Sequence, residues 1–282
     1  MEIYSDSKRL LRAVTLKPDR EINLAEAALA IAISEYPKLD VRSYLEQLDN
    51  MAGVVSERLS SGASLSTVIS QMNRFLFEEQ GFVGNTVAYY DPRNSFLNEV
   101  LERKMGIPIT LSLVYIEIGQ RLGLPFAGVM FPGHFLVKLS IHAGDIVLDP
   151  YAGGRSLSKE ELNVRLSRVS RQDPGGDVDL SRLLASARKK DTLVRLLRNL
   201  KGIYVGSGEY HKALNTIQHI LIIKPDSGKE IRDRGYVYEK LECFRAASED
   251  YERYLALAVD ARDKDVVRKH LVEMQRACAK LH

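Results

Sequence analysis

The C-terminal third of the chain repeats itself. Laid over itself with an offset of 34 residues, Tyr204 meets Tyr238, Ala213 meets Ala247, Ile217 meets Tyr251 and Ile220 meets Tyr254. Few patterns restrict a fold as tightly. A unit of this length carries a pair of helices that cannot bury their apolar faces alone, and stacking on the next unit completes the core. Ala213 and Ala247 are small because the paired helices approach closely there, and a larger side chain would hold them apart. Gly208-Glu209-Tyr210 and Leu241-Glu242-Cys243 fall in the turns inside the units, and Pro225 follows the second helix of the first. The spacing predicts units over about 194–227 and 228–261, with helices over 180–188 and 264–281 as caps.

This pattern resembles the tetratricopeptide repeat. The resemblance implies an all-α module, with no chemistry of its own, whose concave groove holds an extended or helical segment of a protein partner. Lys201, Tyr204, Arg232 and Tyr238 are the candidate groove residues. Charge points the same way: residues 1–180 hold 19 Lys and Arg against 23 Asp and Glu, whereas residues 181–282 hold 21 against 14. A basic surface of this kind is either a solvated helical face or one that meets an acidic protein, a nucleic acid or an anionic lipid surface. Nucleic acid is the lesser reading, because the interleaved tyrosines sit at core-like spacing rather than as a stacking platform.

Upstream, composition excludes whole classes. With 45% hydrophobic and 27% charged residues the chain is an ordinary globular protein and not a disordered one. No apolar run approaches the ~20 residues that span a bilayer. The opening Met1-Glu2-Ile3-Tyr4-Ser5-Asp6 is polar and acidic, so a cytoplasmic location without a membrane partner is expected. Cys243 and Cys278 are the only cysteines, too few for a disulfide framework or a thiolate zinc site.

The first 80 residues read as helices. Leu24, Ala27, Ala28 and Ile31 share one face of a helix over 21–36, Val41–Leu59 forms a second, and Ser64 caps a third. Helices over 95–105 and 109–122 follow. The apolar period then drops to that of strands over 126–131, 135–141 and 145–148, with His142-Ala143-Gly144-Asp145 as a hairpin turn. Ser158 and Glu161 suit a capping box at the start of a helix over 158–169. Helices first and a small antiparallel sheet after them make an α+β domain. Its expected extent is 1–176, with the repeat domain over 177–282, because Pro174-Gly175-Gly176 is the sharpest composition break.

The chemistry-bearing stretch runs through Gly106-Ile107-Pro108-Ile109-Thr110-Leu111-Ser112, Gly123-Leu124-Pro125, Pro132-Gly133-His134 and Leu148-Asp149-Pro150. It resembles the transglutaminase-like, papain-type core. The resemblance implies a cysteine nucleophile at the helix N-terminus, activated by a His that an Asp orients. His134 matches that His and Asp149 that Asp. Together with Leu76-Phe77, Gly81-Phe82, Gly84-Asn85, Tyr90-Asp91-Pro92 and Asn94-Ser95, these motifs are similar to the bacterial SirB family, which joins such a core to tetratricopeptide repeats. The likeness covers roughly residues 20–260.

The nucleophile departs from the pattern. Aligned on Gly123-Leu124-Pro125, the family cysteine falls at Pro108, or at Thr110 with a shift of two, and neither cysteine lies within a hundred residues of this helix. Two readings stay open. A scaffold without its sulfur keeps His134 and Asp149 as a structural pair and serves binding. Alternatively, a hydroxyl of Thr110 or Ser112 attacks an acyl carbon with His134 as base, as a peptidase, amidase or acyl transferase would. The structural alternative for these hydroxyls is that Thr110 caps the helix and Ser112 is a small packing residue. Asn85, Asn94, Ser95 and Pro108 are expected to line the cleft, with Asn94 and Ser95 also capping the helix that starts there. His134, His142 and Asp149 lack a compact three-ligand spacing, so neither a metal nor a cofactor is expected.

Overall fold

A computed structural model describes residues 2–142, 144–170, 180–258 and 261–280. The expected boundary at 176/177 and the turn residue Ala143 lie outside the described residues. The chain divides into two compact units, Met1–Leu196 and Leu197–His282.

The first unit opens with helices α1 (Glu2–Thr15), α2 (Leu24–Ala32), α3 (Val41–Glu57) and α4 (Leu65–Asn73). Side-chain oxygens set three of the starts. Asn23 accepts from the Glu26 N–H, Asp40 from the N–H groups of Arg42 and Ser43, and Ser64 from that of Thr67. Helix α2 is buried at every position except Glu26, and its alanines let neighbouring helices close in. Ser7 of α1, for example, donates to the Ala30 carbonyl at 2.6 Å. Helix α1 precedes the first helix that the apolar spacing marks individually, at 21–36. Helix α4 continues into a π-helical stretch over Arg74–Glu79.

The middle of the unit is a short parallel pair, β1 (Val83–Gly84) and β2 (Met105–Gly106), with α5 (Leu97–Arg103) between them. Helix α6 (Pro108–Arg121) follows and is buried from Pro108 through Gly119. The expected antiparallel sheet is β3 (Ala127–Val129), β4 (Leu136–Ile141), β5 (Gly144–Asp149) and β6 (Arg155–Ser156), paired in that order. Val129, Phe131, Leu136, Val147, Leu157 and Leu162 form the core beneath it. The next helices are α7 (Lys159–Ser170) and α8 (Leu180–Leu183). At α7 the capping box forms as read: Glu161 N–H donates to Ser158 Oγ at 3.2 Å, and Ser158 N–H to Glu161 Oε2 at 3.0 Å.

The repeats follow as α9 (Lys189–Gly206), α10 (Tyr210–Ile223), α11 (Gly228–Lys240), α12 (Phe244–Leu257) and α13 (Lys264–Lys280). Ala213 and Ala247 are fully buried, as close helix crossing requires. The fold is therefore α+β followed by an all-α repeat region. Among the described residues no helix is long and apolar enough to cross a membrane.

The repeat also imposes a backbone conformation. Gly208 and Glu242 occupy equivalent positions 34 residues apart in the turns inside the units, with φ of 76° and 58°. Glycine adopts this left-handed geometry freely, whereas a residue with a Cβ pays about 1–2 kcal/mol. Glu242→Gly is therefore expected to raise stability by about 0.5–1 kcal/mol once glycine's extra freedom in the unfolded chain is subtracted. Urea denaturation of the full chain measures it.

Candidate functional site

Sheet register brings His134 and Asp149 together. Val137 pairs with Leu148 across β4 and β5, so the stretch before β4 runs beside the stretch after β5. His134 follows a turn in which its N–H bonds the Phe131 carbonyl at 3.0 Å. Its Nε2 lies 2.9 Å from Asp149 Oδ1, which commits that nitrogen to the carboxylate and leaves Nδ1 outside the pair. The His134 side chain is 19% exposed, while that of Asp149 is buried. The second carboxylate oxygen, Oδ2, accepts from Arg165 Nη1 at 2.8 Å. Burial alone would raise the Asp149 pKa; the bonds and charges of His134 and Arg165 outweigh it and hold the carboxyl below the usual range.

Tyr151 completes this end of the site. Its ring meets His134 edge-on at 5.8 Å, and its hydroxyl donates to the Asn85 carbonyl at 3.4 Å. A Cβ on Gly84 would come within 2.4 Å of the Tyr151 ring, so only glycine lets the ring settle there undisplaced. Sequence reasoning missed both Tyr151 and Arg165. Arg165 sits on the expected α7 helix, 16 residues from Asp149, and carried no spacing signal.

The candidate hydroxyls have other partners. Ile107 is the N-cap of α6 and Pro108 its first residue, a position proline suits because no intrahelical bond is lost. Thr110 Oγ1 accepts from the Ile107 N–H at 3.1 Å and donates to the Asn94 carbonyl at 2.7 Å. Ser112 Oγ faces the Phe135 carbonyl at 3.5 Å. Both hydroxyls are fully buried.

Asn85, Asn94, Ser95 and Pro108 are buried as well. Asn85 Nδ2 donates to Asn94 Oδ1 at 3.1 Å, its own Oδ1 accepts the Ala88 N–H, and Asn94 Nδ2 donates to the Ala88 and Tyr89 carbonyls. These amides tie the 85–95 loop to itself, and the Asn94 carbonyl, which accepts from Thr110, joins the loop to the start of α6. They do not cap α5, whose N-cap is Phe96, because the Asn94 side chain is already spent on the loop. Among the described residues Ser95 Oγ has no partner.

In the second unit, a cavity of about 520 Å³ takes in Lys201 and Arg232 of the four expected groove residues. Tyr204 is buried instead, and Tyr238 packs against the cluster of Ile231, Ala247, Tyr251 and Tyr254. Tyr236 and His270 line the cavity and were missed. Lys201 Nζ lies 2.6 Å from both Glu230 Oε2 and Asp233 Oδ2. Burial would raise the Asp233 pKa, but Lys201 and Arg232 outweigh it and lower it. Among the described residues no group of three or more His, Cys, Asp and Glu is placed to hold a metal.

Known proteins share this plan. Residues 42–198 match the family model of the transglutaminase-like superfamily, and residues 200–271 that of the tetratricopeptide repeat. A UPF0162 protein of Xylella fastidiosa strain 9a5c is 38% identical over 94% of both chains. One of Pseudomonas aeruginosa is 32% identical over 89% of this chain and 90% of its own. The Salmonella typhimurium protein SirB1 is 24% identical over 86% and 89%.

Two substitutions test the geometry. Thr110→Val keeps the shape but strands a buried N–H and a buried carbonyl, and is expected to cost about 2–3 kcal/mol in urea denaturation. The Asp149 pKa is lower folded than unfolded, where it is ~3.9, so its pairing stabilises fully above that value and is lost as pH falls through the folded pKa. Asp149→Asn should therefore cost about 1–3 kcal/mol at pH 7, a difference that shrinks as pH drops below ~4.

Proposed function

We propose that this chain, which belongs to the SirB family of transglutaminase-like proteins with tetratricopeptide repeats, holds a protein segment rather than turning one over. One observation carries the reading. Where the resemblance implies an activated thiol, the helix offers Pro108 and a Thr110 hydroxyl that is spent on the Ile107 N–H and the Asn94 carbonyl. A hydroxyl that already donates its proton to a carbonyl and lies wholly buried is poorly placed to give that proton to an imidazole. Ser112 supports the same reading, since it is buried against the Phe135 carbonyl.

In this reading His134 and Arg165 form a hydrogen-bonded network around the buried Asp149 carboxylate that fixes the strand ends. The repeats supply the docking surface, as tetratricopeptide repeats generally do. The second reading, an acyl-transfer enzyme with a hydroxyl nucleophile, draws its support from the part-exposed His134 paired with a buried Asp149. It requires Thr110 or Ser112 to leave its present partner.

A fluorophosphonate probe separates the two. The adaptor reading expects no labelling of the full chain above that of His134→Ala. An adduct mapped by mass spectrometry to Thr110 or Ser112, absent from His134→Ala, would overturn it in favour of the enzyme.

A further inference from the structure

The charges around the second unit's cavity cancel within the protein. Lys201 is held by Glu230 and Asp233, and Arg232 by Asp233 Oδ1 at 2.7 Å and Asp263 Oδ2 at 2.5 Å. Asp263 also accepts from the Tyr254 hydroxyl, and His270 Nδ1 sits 3.0 Å from Glu239 Oε2. Glu230, the partner deepest in, is fully buried and takes Arg198 Nε at 2.8 Å on its other oxygen. An acidic segment arriving here would meet cations whose charge is already balanced by carboxylates in contact with them, and would bring its own carboxylates up against Glu230, Asp233 and Asp263.

The space between these pairs is apolar and open. On α9, Gly202 and Gly206 lie one turn apart, with nothing within 4 Å of where a Cβ would stand. Val205 stands between them, and Val266 of α13 borders the same cavity while 56% exposed. The volume falls in the range of ~300–1,000 Å³ typical of binding clefts. Walls made of helices, with two glycines in place of side chains, let another backbone come close, the geometry by which an amphipathic helix lies in a groove.

We infer that this groove takes an amphipathic helix by an uncharged, aliphatic face, and that Lys201 and Arg232 shape the groove without reading the partner's charge. The inference rests on the adaptor reading and names its partner's chemistry. The matching surface is one with leucine-like side chains, since such a face fills the apolar space without stranding a polar group or setting a charge beside the internal ion pairs.

Fluorescence polarisation on the full chain tests it with two synthetic helical peptides of ~15 residues. One carries leucines along one face and glutamine and alanine elsewhere; in the other, glutamates replace the leucines. The leucine peptide is expected to bind, with an affinity that changes less than about twofold between ~50 mM and ~500 mM salt. Gly202→Leu fills the cavity from α9 and should weaken that binding at least about tenfold. Its unfolding temperature should hold, because leucine is the better helix former and meets no neighbour there. Tighter, salt-sensitive binding of the glutamate peptide, also blocked by Gly202→Leu, would overturn the inference while the adaptor reading stands. Binding of neither peptide overturns the inference and removes this groove from the adaptor reading.

Discussion

A helix buried along most of its length has nowhere to leave a polar group unpaired, and α6 is such a helix from Pro108 to Gly119. Every polar side chain in that stretch reaches a neighbouring element. Thr110 ties to the Asn94 carbonyl, Ser112 to that of Phe135, and the Tyr115 hydroxyl to Asn73 Oδ1 at 2.9 Å. Glu117, buried among helices, accepts the Ala25 N–H at the start of α2 with one oxygen and the Arg121 guanidinium with the other. The loop before α5, the sheet and the N-terminal helices are each fastened to α6 by one of these groups.

That constraint governs what the candidate site can do. The resemblance points to the N-terminal turn of this helix as the place for an attacking atom, and in this chain that turn is closed by its own hydrogen bonds. His134 takes no part in those bonds, and its Asp149 partner is shared with Arg165. A buried carboxylate held by two cationic or protonatable groups orients a ring well and adds little net stability against an apolar replacement. In the adaptor reading it serves to hold the strand ends in one arrangement.

The second unit uses the same device on a larger scale. Glu230, Asp233 and Asp263 interleave with Arg198, Lys201 and Arg232, so three of the cations of the C-terminal third are paired inside the repeats. A count of Lys and Arg could not separate cations that face solvent from cations that face a buried carboxylate. Pairs such as Lys201–Glu230 are 29 residues apart and are joined only when one helix pair stacks on the next.

Local and periodic features were legible in the sequence. The 34-residue spacing placed Ala213 and Ala247 at helix crossings, Ser158 and Glu161 built their capping box, and alternation marked the sheet. These depend on neighbours within a few residues or on a repeated interface, and the chain writes both in order. His134 and Asp149 were recognised through resemblance, and strand register then joined them. Tyr151 and Arg165 beside that pair, the burial of Tyr204, and the loop-pinning role of Asn94 were decided by tertiary structure alone. A polar side chain takes whichever donor or acceptor the packed neighbour presents, and that neighbour is set by how elements distant in sequence come to lie side by side.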